Sequence, residues 1–240
     1  MPRKVNKISF SEGKARSTAW AVTFGDMVTL LLTFFILIIV IMNEAEKQID
    51  QIIDMLLDET YKELKIELSD DNVQVDRVTK GVKITMGSNQ LFQSADAELK
   101  KEVLPTLNQI GILIKNSRIL SLEKDSTFQK FVKAIEKNNK NLNIEIRTEG
   151  HTDNLPLPLK LQAKWKSNWE LSTARALNVV TLLSEYSGLP QNKFSAMGYG
   201  EFRPLYKNQT IDGRARNRRV EIYLDAFVTI NIEKENLNPL

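Results

Sequence analysis

Two groups of side chains occupy places where ordinary folding would not put them. The first is a single acid. The run TAWAVTFGDMVTLLLTFFILIIVIM, Thr18 to Met42, holds one ionisable residue, Asp26. A charged Asp at the centre of a membrane helix costs on the order of 2.5–3.5 kcal/mol. Asp26 lies roughly 12 Å into the run at helical rise. Acids kept at that cost face a bundle interior or a water-filled path and mark routes for ions. Thr23, Thr29 and Thr33 fall on roughly the same helical face as Asp26. They could line such a path, or bond backbone carbonyls and pack helices. One helix cannot shield a carboxylate, so a partner membrane protein is implied.

The second group surrounds EGHTDN. Asp153 leaves the end of a strand into a proline-containing loop, and Asn168 and Arg175 lie on the helix beyond it. Asp pairs with an ammonium and Arg forks onto a carboxylate, so the set suits a zwitterion. His151 could act as a general base, but a lone histidine at a strand end is more often structural. No nucleophile–base pair suited to hydrolysis is evident, so a binding protein is expected rather than an enzyme. With no cysteine and one histidine, disulfides, thiolate chemistry and Cys/His or His-rich zinc sites are excluded. Neither a cofactor nor a metal site is expected.

The elements that position these groups follow from pattern. The Thr18–Met42 run is longer than a signal-peptide core and ends without a small-residue cleavage site, so it reads as a retained membrane anchor. Arg3, Lys4, Lys7, Lys14 and Arg16 precede it against Glu12, and Glu44, Glu46 and Asp50 follow it against Lys47. That bias puts a basic tail (1–17) in the cytoplasm and everything after the span (18–42) outside the plasma membrane. In the linker (43–72), Ile49, Ile52, Ile53, Leu56 and Leu57 recur at helical spacing. This amphipathic helix either lies on the membrane or blocks an ion path, or else extends the anchor or pairs with its copy.

Strand-like runs then appear at 73–78, 81–86, 143–150, 194–200 and 218–224. Helical stretches fall at Ala95–Lys115, Phe128–Lys137 and Glu170–Ser187. The last carries the apolar stripe Leu171, Ala174, Leu177, Val180, Leu182 and Leu183, and Gly188 and Pro190 end it. Such alternation predicts a compact α+β or α/β sandwich. A net charge of +3 gives no reason to expect nucleic acid.

The motifs GHTDN, SNWELSTARA, GYGE and GRARNRRVEI, with LFQSADAELKKEVLPTL before them, resemble the OmpA-like peptidoglycan-binding family over roughly Leu91–Leu224. The resemblance implies an α+β fold, a mixed sheet with helices on one face, over 73–228, with a tail at 229–240. It also implies that Asp153 and Arg175 hold the ammonium and carboxylate of a diaminopimelate-type residue. Thr152, Asn168, Leu171 and Arg219 would line or brace that pocket. Arg214, Arg216 and Arg218 read instead as surface salt-bridge partners. The loop LPLPLKLQAKWKS and the stretch 117–142 are longer than in short family members.

Joined to WAVTFGDMVTLLLTFF, this domain resembles the MotB family of flagellar stator subunits. That resemblance implies a homodimer ringed by MotA-type membrane subunits, spanning the inner membrane once and gripping peptidoglycan in the periplasm. Asp26 would bind the translocated ion, H+ in preference to Na+, and Ile49–Leu57 would plug the unassembled channel. Open alternatives are a non-flagellar stator-type complex resembling ZorB, a passive wall tether, and an enzyme acting on peptidoglycan.

Overall fold

The computed structural model describes residues 10–69, 72–93, 96–122, 126–137 and 139–230. Most of the expected basic tail and C-terminal tail lies outside them. The chain divides into two compact units, Met1–Gln51 and Ile52–Leu240.

The first helix, α1 (Phe10–Glu67), contains both the expected span and the expected amphipathic segment. Within it Trp20–Ile41 is long and apolar enough to cross a membrane. Its large apolar side chains are exposed, as a lipid-facing or partner-facing helix requires. The end of α1 belongs to the second unit, where Ile53, Leu56, Leu57, Thr60 and Leu64 are buried. Arg77 pins it, donating to Asp54 and Asp58 at 2.8 Å each, and Gln109 Nε2 donates to Glu67 O at 3.1 Å. The second compact unit thus takes in Ile52 onward, part of the expected linker 43–72 together with the expected domain from 73.

Among the described residues five strands form one sheet: β1 (Val73–Val78), β2 (Gly81–Gly87), β3 (Lys140–His151), β4 (Phe194–Gly200) and β5 (Arg219–Ile230). Their order is β1-β2-β5-β3-β4. All pairings are antiparallel except β3–β4, which is parallel. A parallel pair needs a crossover, and α6 (Asn168–Ser187) supplies it. Between β2 and β3 lie α2 (Ser88–Leu91), α3 (Leu104–Asn116) and α4 (Ser126–Lys137). The short α5 (Leu159–Gln162) precedes α6, and α7 (Ile211–Asn217) precedes β5. The expected α+β fold, a mixed sheet with helices packed on it, is what forms. The lengthened stretch 117–142 builds α4 and the first residues of β3, and α4 packs against β3.

Period-two alternation makes the core. Rows such as Val82–Leu224–Ile146 and Ile84–Ile222–Thr148 run across β2, β5 and β3 in register and are buried. Helix α6 covers this face, packing on β3 and β4, and α3 packs on α6. The buried stripe of α6 is Leu171, Ala176, Val179 and Leu183. Leu177, expected in the stripe, is 54% exposed, because the sheet meets the helix about one residue around from the most apolar line. Ala95, the first residue of the expected helix Ala95–Lys115, lies outside the described residues, and α3 itself begins at Leu104; Pro105 sits in its first turn, where its missing N–H costs nothing. Ahead of it Phe92 and Leu99 form an isolated bridge.

Helix α6 starts on Ser167, whose hydroxyl accepts from Glu170 N at 3.2 Å, and ends on Gly188 in the left-handed region. Its first turns lie unusually close to the sheet. A Cβ on Gly150 would stand 2.1 Å from Ser172 O, and one on Gly198 would stand 2.1 Å from Thr173 Oγ1. Gly150→Ala should therefore force helix and strand apart and lower stability by about 1–3 kcal/mol, read as a lower urea midpoint of the purified protein.

Candidate binding site

The pocket residues come from the C-terminal end of β3, the first turns of α6 and the segment around Phe92–Leu99. Thr152 continues the β3–β4 pairing by donating its N–H to Gly200 O at 2.9 Å. Asp153 follows, buried, its Oδ1 accepting from Leu155 N at 3.2 Å and its Oδ2 from Arg218 NH1 at 2.6 Å. Asn168, in the first turn of α6, donates through Nδ2 to Leu155 O at 3.0 Å and Glu201 Oε2 at 3.2 Å. It thereby holds the loops after β3 and β4 together. Leu171 is buried one turn further on.

Arg175 is 5% exposed, with its plane over the Phe92 ring at 5.0 Å. Its Nε donates to Asp96 O at 2.9 Å. Among the described residues its terminal nitrogens donate no hydrogen bond, which leaves the forked edge for a carboxylate. Burial pushes its pKa down to about 10 against the opposing pull of the Asp96 carboxylate, so it stays a cation at neutral pH. Asp96 is in turn held below the usual carboxylate range by Lys164, 2.8 Å away. Lys164 comes from the lengthened loop before α6, so that insertion reaches the pocket. Trp169 and Phe202, both largely exposed and 5.3 Å apart, form an apolar step beside Asn168.

Asp153, Thr152, Asn168, Leu171 and Arg175 thus gather at one end of the sheet. Arg219 does not join them. It sits on the opposite face, with Nε on Glu221 Oε1 at 2.7 Å and NH1 and NH2 on the carbonyls of Asn217 and Arg203. The residue that reaches Asp153 is Arg218, read from sequence as a surface partner. Successive strand residues point to opposite faces, and the burial of Val220, Ile222 and Leu224 on the α6 side puts Arg218 there and Arg219 away. Asp96 and Phe92 were also missed, because a backbone carbonyl and a ring face leave no motif.

Outside the pocket, Asp26 is exposed on α1. Thr23, Thr29 and Thr33 donate their hydroxyls to the carbonyls of Trp20, Asp26 and Leu30 at 2.8–2.9 Å. Of the segment expected to plug a channel, Ile49 and Ile52 are half-buried, while Ile53, Leu56 and Leu57 are in the core of the second unit.

Comparison with known proteins matches both parts. Residues 114–218 fit the OmpA family, and residues 3–59 fit the family described as membrane MotB of the proton-channel complex MotA/MotB. Motility protein B of Bacillus subtilis (strain 168) is 32% identical over 163 residues, 68% of this chain and 52% of that protein. The chain is MotB-like. Motility protein B of Helicobacter pylori (strain J99) is 28% identical over 250 residues, 92% of each chain. Among solved structures, the cell wall anchor of the T6SS from Pseudomonas aeruginosa superimposes with a TM-score of 0.51 at 29% identity. That match covers 70% of the MotB-like chain and 97% of the anchor.

The two adjacent arginines should separate cleanly by measurement. Arg219→Ala leaves the buried Glu221 carboxylate without its guanidinium and should cost about 3–5 kcal/mol of unfolding free energy. Arg218→Ala, on a side chain 38% exposed, should cost less than about 1 kcal/mol. Urea unfolding of both variants reads the difference.

Proposed function

We propose that this chain is the stator subunit of a bacterial flagellar motor, taking ions through Asp26 while its outer domain holds the complex to peptidoglycan. What carries the reading is one covalent chain that joins a lone acid within the apolar Trp20–Ile41 segment to an OmpA-type domain with Asp153 and a free-forked Arg175 at one end of its sheet. Either part alone fits a simpler protein. A tether needs no acid in its span, and an ion-coupled complex needs no wall pocket unless it must resist recoil.

In this reading the helix crosses the inner membrane with its N-terminus in the cytoplasm. Two copies stand inside a ring of MotA-type subunits, which supply the shielding that one helix cannot give Asp26. Each elementary charge moving through 100 mV releases about 2.3 kcal/mol. Ion occupancy at Asp26 removes a buried charge, so the surrounding subunits prefer different arrangements in the two states. Wall attachment turns that alternation into torque on the rotor. A plug formed from Ile49–Leu57 would have to draw Ile53, Leu56 and Leu57 out of the domain core, so plugging and domain packing are coupled.

At the wall, Asp153 takes the ammonium and Arg175 the carboxylate of a diaminopimelate-type residue in the stem peptide. Each contact is a charge-assisted hydrogen bond worth about 1.5–3 kcal/mol. Asp153→Asn and Arg175→Ala should each weaken binding of a soluble diaminopimelate-containing muropeptide by roughly 10–100-fold, measured by calorimetry. Unchanged affinity in both would remove the pocket from the proposal.

The span is tested separately. Cells carrying Asp26→Asn should make normal amounts of membrane-inserted, wall-binding protein and fail to swim. Normal swimming would leave a passive tether as the better account, and motility unaffected by deleting the whole chain would point to a non-flagellar stator-type complex.

A further inference from the structure

On the sheet face turned away from α6, three acceptors converge. His151 is 1% exposed, and neither of its ring nitrogens has a hydrogen-bond partner among the described residues. Its Nε2 lies 3.7 Å from Glu149 Oε2 and 3.7 Å from Glu221 Oε2. Each carboxylate gives its other oxygen to an arginine, Glu149 Oε1 to Arg147 and Glu221 Oε1 to Arg219. The Tyr223 hydroxyl donates to Glu221 Oε2 at 2.6 Å. A ring lone pair facing two carboxylate oxygens in a buried layer is repulsive unless a cation lies among them.

Two cations answer that charge pattern, a proton and a metal ion. A proton on Nε2 would have to reach across 3.7 Å, too far for a hydrogen bond to either oxygen. A tetrahedral Zn2+ with N and O ligands at about 2.0–2.2 Å sets its donors about 3.3–3.6 Å apart. The two separations from His151 Nε2 need to close by only a few tenths of an ångström.

We propose that Glu149, His151 and Glu221 form a site for a divalent transition-metal ion of the Zn2+ class, with His151 Nε2 and the two Oε2 atoms as its protein ligands. The three donor atoms lie within 4.8 Å of one another. Imidazole with carboxylates is a donor set suited to Zn2+. Thr85 stands directly opposite Glu221 across β2 and β5, and its buried Oγ1 also lacks a partner; this marks the side where a fourth ligand or a water completes the shell. A cavity of about 370 Å³, lined in part by Thr85 and Arg219, leads to the same layer. Arg147 and Arg219 orient the carboxylates from outside, as outer hydrogen bonds do at metal sites. Sequence spacing hides the set, because Glu149 and Glu221 meet only through the β3–β5 register. The absence of a Cys/His cluster excluded a different kind of site. A bound ion would tie β3 to β5 two residues before Asp153, stiffening the edge of the wall pocket.

The chain has one histidine and no cysteine, so an imidazole–metal signal can come from nowhere else. Full-length protein without a histidine tag, in detergent and freed of metal, is titrated with Zn2+ by calorimetry and with Co2+ by visible absorption. Expected are one ion per chain, a Co2+ spectrum with nitrogen ligation, and a loss of affinity of about 100-fold or more in both His151→Gln and Glu149→Gln. No uptake by the wild-type protein would overturn the site, as would binding that both variants retain. Should a variant fail to fold, the ¹⁵N resonances of the wild-type imidazole decide: a shift on adding Zn2+ supports ligation. Resonances that move only with pH show that a proton fills the gap, and sink the proposal.

Discussion

The close approach of the first turns of α6 to β3 and β4 is the contact on which the domain's working end depends. Gly150 and Gly198 permit it by having no Cβ, and Ser172 Oγ confirms it by accepting from Gly200 N at 2.9 Å. Because helix and strands meet there, Asp153 at the end of β3, Asn168 in the first turn of α6 and Gly200 at the end of β4 fall within hydrogen-bonding range of one another's loops. Arg175, two turns along the same helix, is then brought over Phe92 without any further element to place it. One packing distance thus sets a pocket assembled from four separate stretches of chain.

The same sheet presents two unlike faces. The α6 side is a conventional apolar core. The other side buries Glu149, His151, Arg219 and Glu221, with Arg147 and Tyr223 half-buried beside them, an arrangement that only mutual pairing makes tolerable. Burial alone would raise the pKa of Glu221. Its polar neighbours, the Tyr223 hydroxyl and the Arg219 guanidinium among them, outweigh it and hold the carboxyl well below its usual range. The Tyr223 phenol is pushed up in turn by burial and by that carboxylate. Tyr199 stacks on His151 at 5.4 Å, and Arg203 caps Tyr199 at 3.8 Å, closing the layer from outside.

Much of this was legible in the residues. An acid in an apolar run and an Asp–Asn–Arg set around a strand end declare themselves by type, because each is costly where it stands. Strands were found through alternation, and α6 through its caps. What stayed hidden depends on relations between distant segments. Arg218 and Arg219 are adjacent and chemically alike, so only the register of β5 against β3 tells them apart. The exposure of Leu177 reflects the angle at which α6 meets the sheet. The apolar stripe of α1 after the span has the spacing of a free amphipathic helix, and nothing in it reveals that Ile53, Leu56 and Leu57 are committed to the domain.

The Arg218–Asp153 pair bears on what kind of event wall recognition is. The carboxylate that would greet an incoming ammonium already has a cation, on a side chain exposed enough to swing away. In the proposed mode the event at Asp153 would be an exchange of one ion pair for another. That exchange conserves the number of opposite charges in contact at Asp153, so this part of the driving force would depend only weakly on ionic strength. In the proposed mode a lone amine would displace Arg218 and leave the Arg175 fork empty, and a lone carboxylate would fill that fork and leave Asp153 with Arg218. Only a ligand bearing both charges at one end engages Asp153 and Arg175 together, so selectivity would follow from charge accounting as much as from shape.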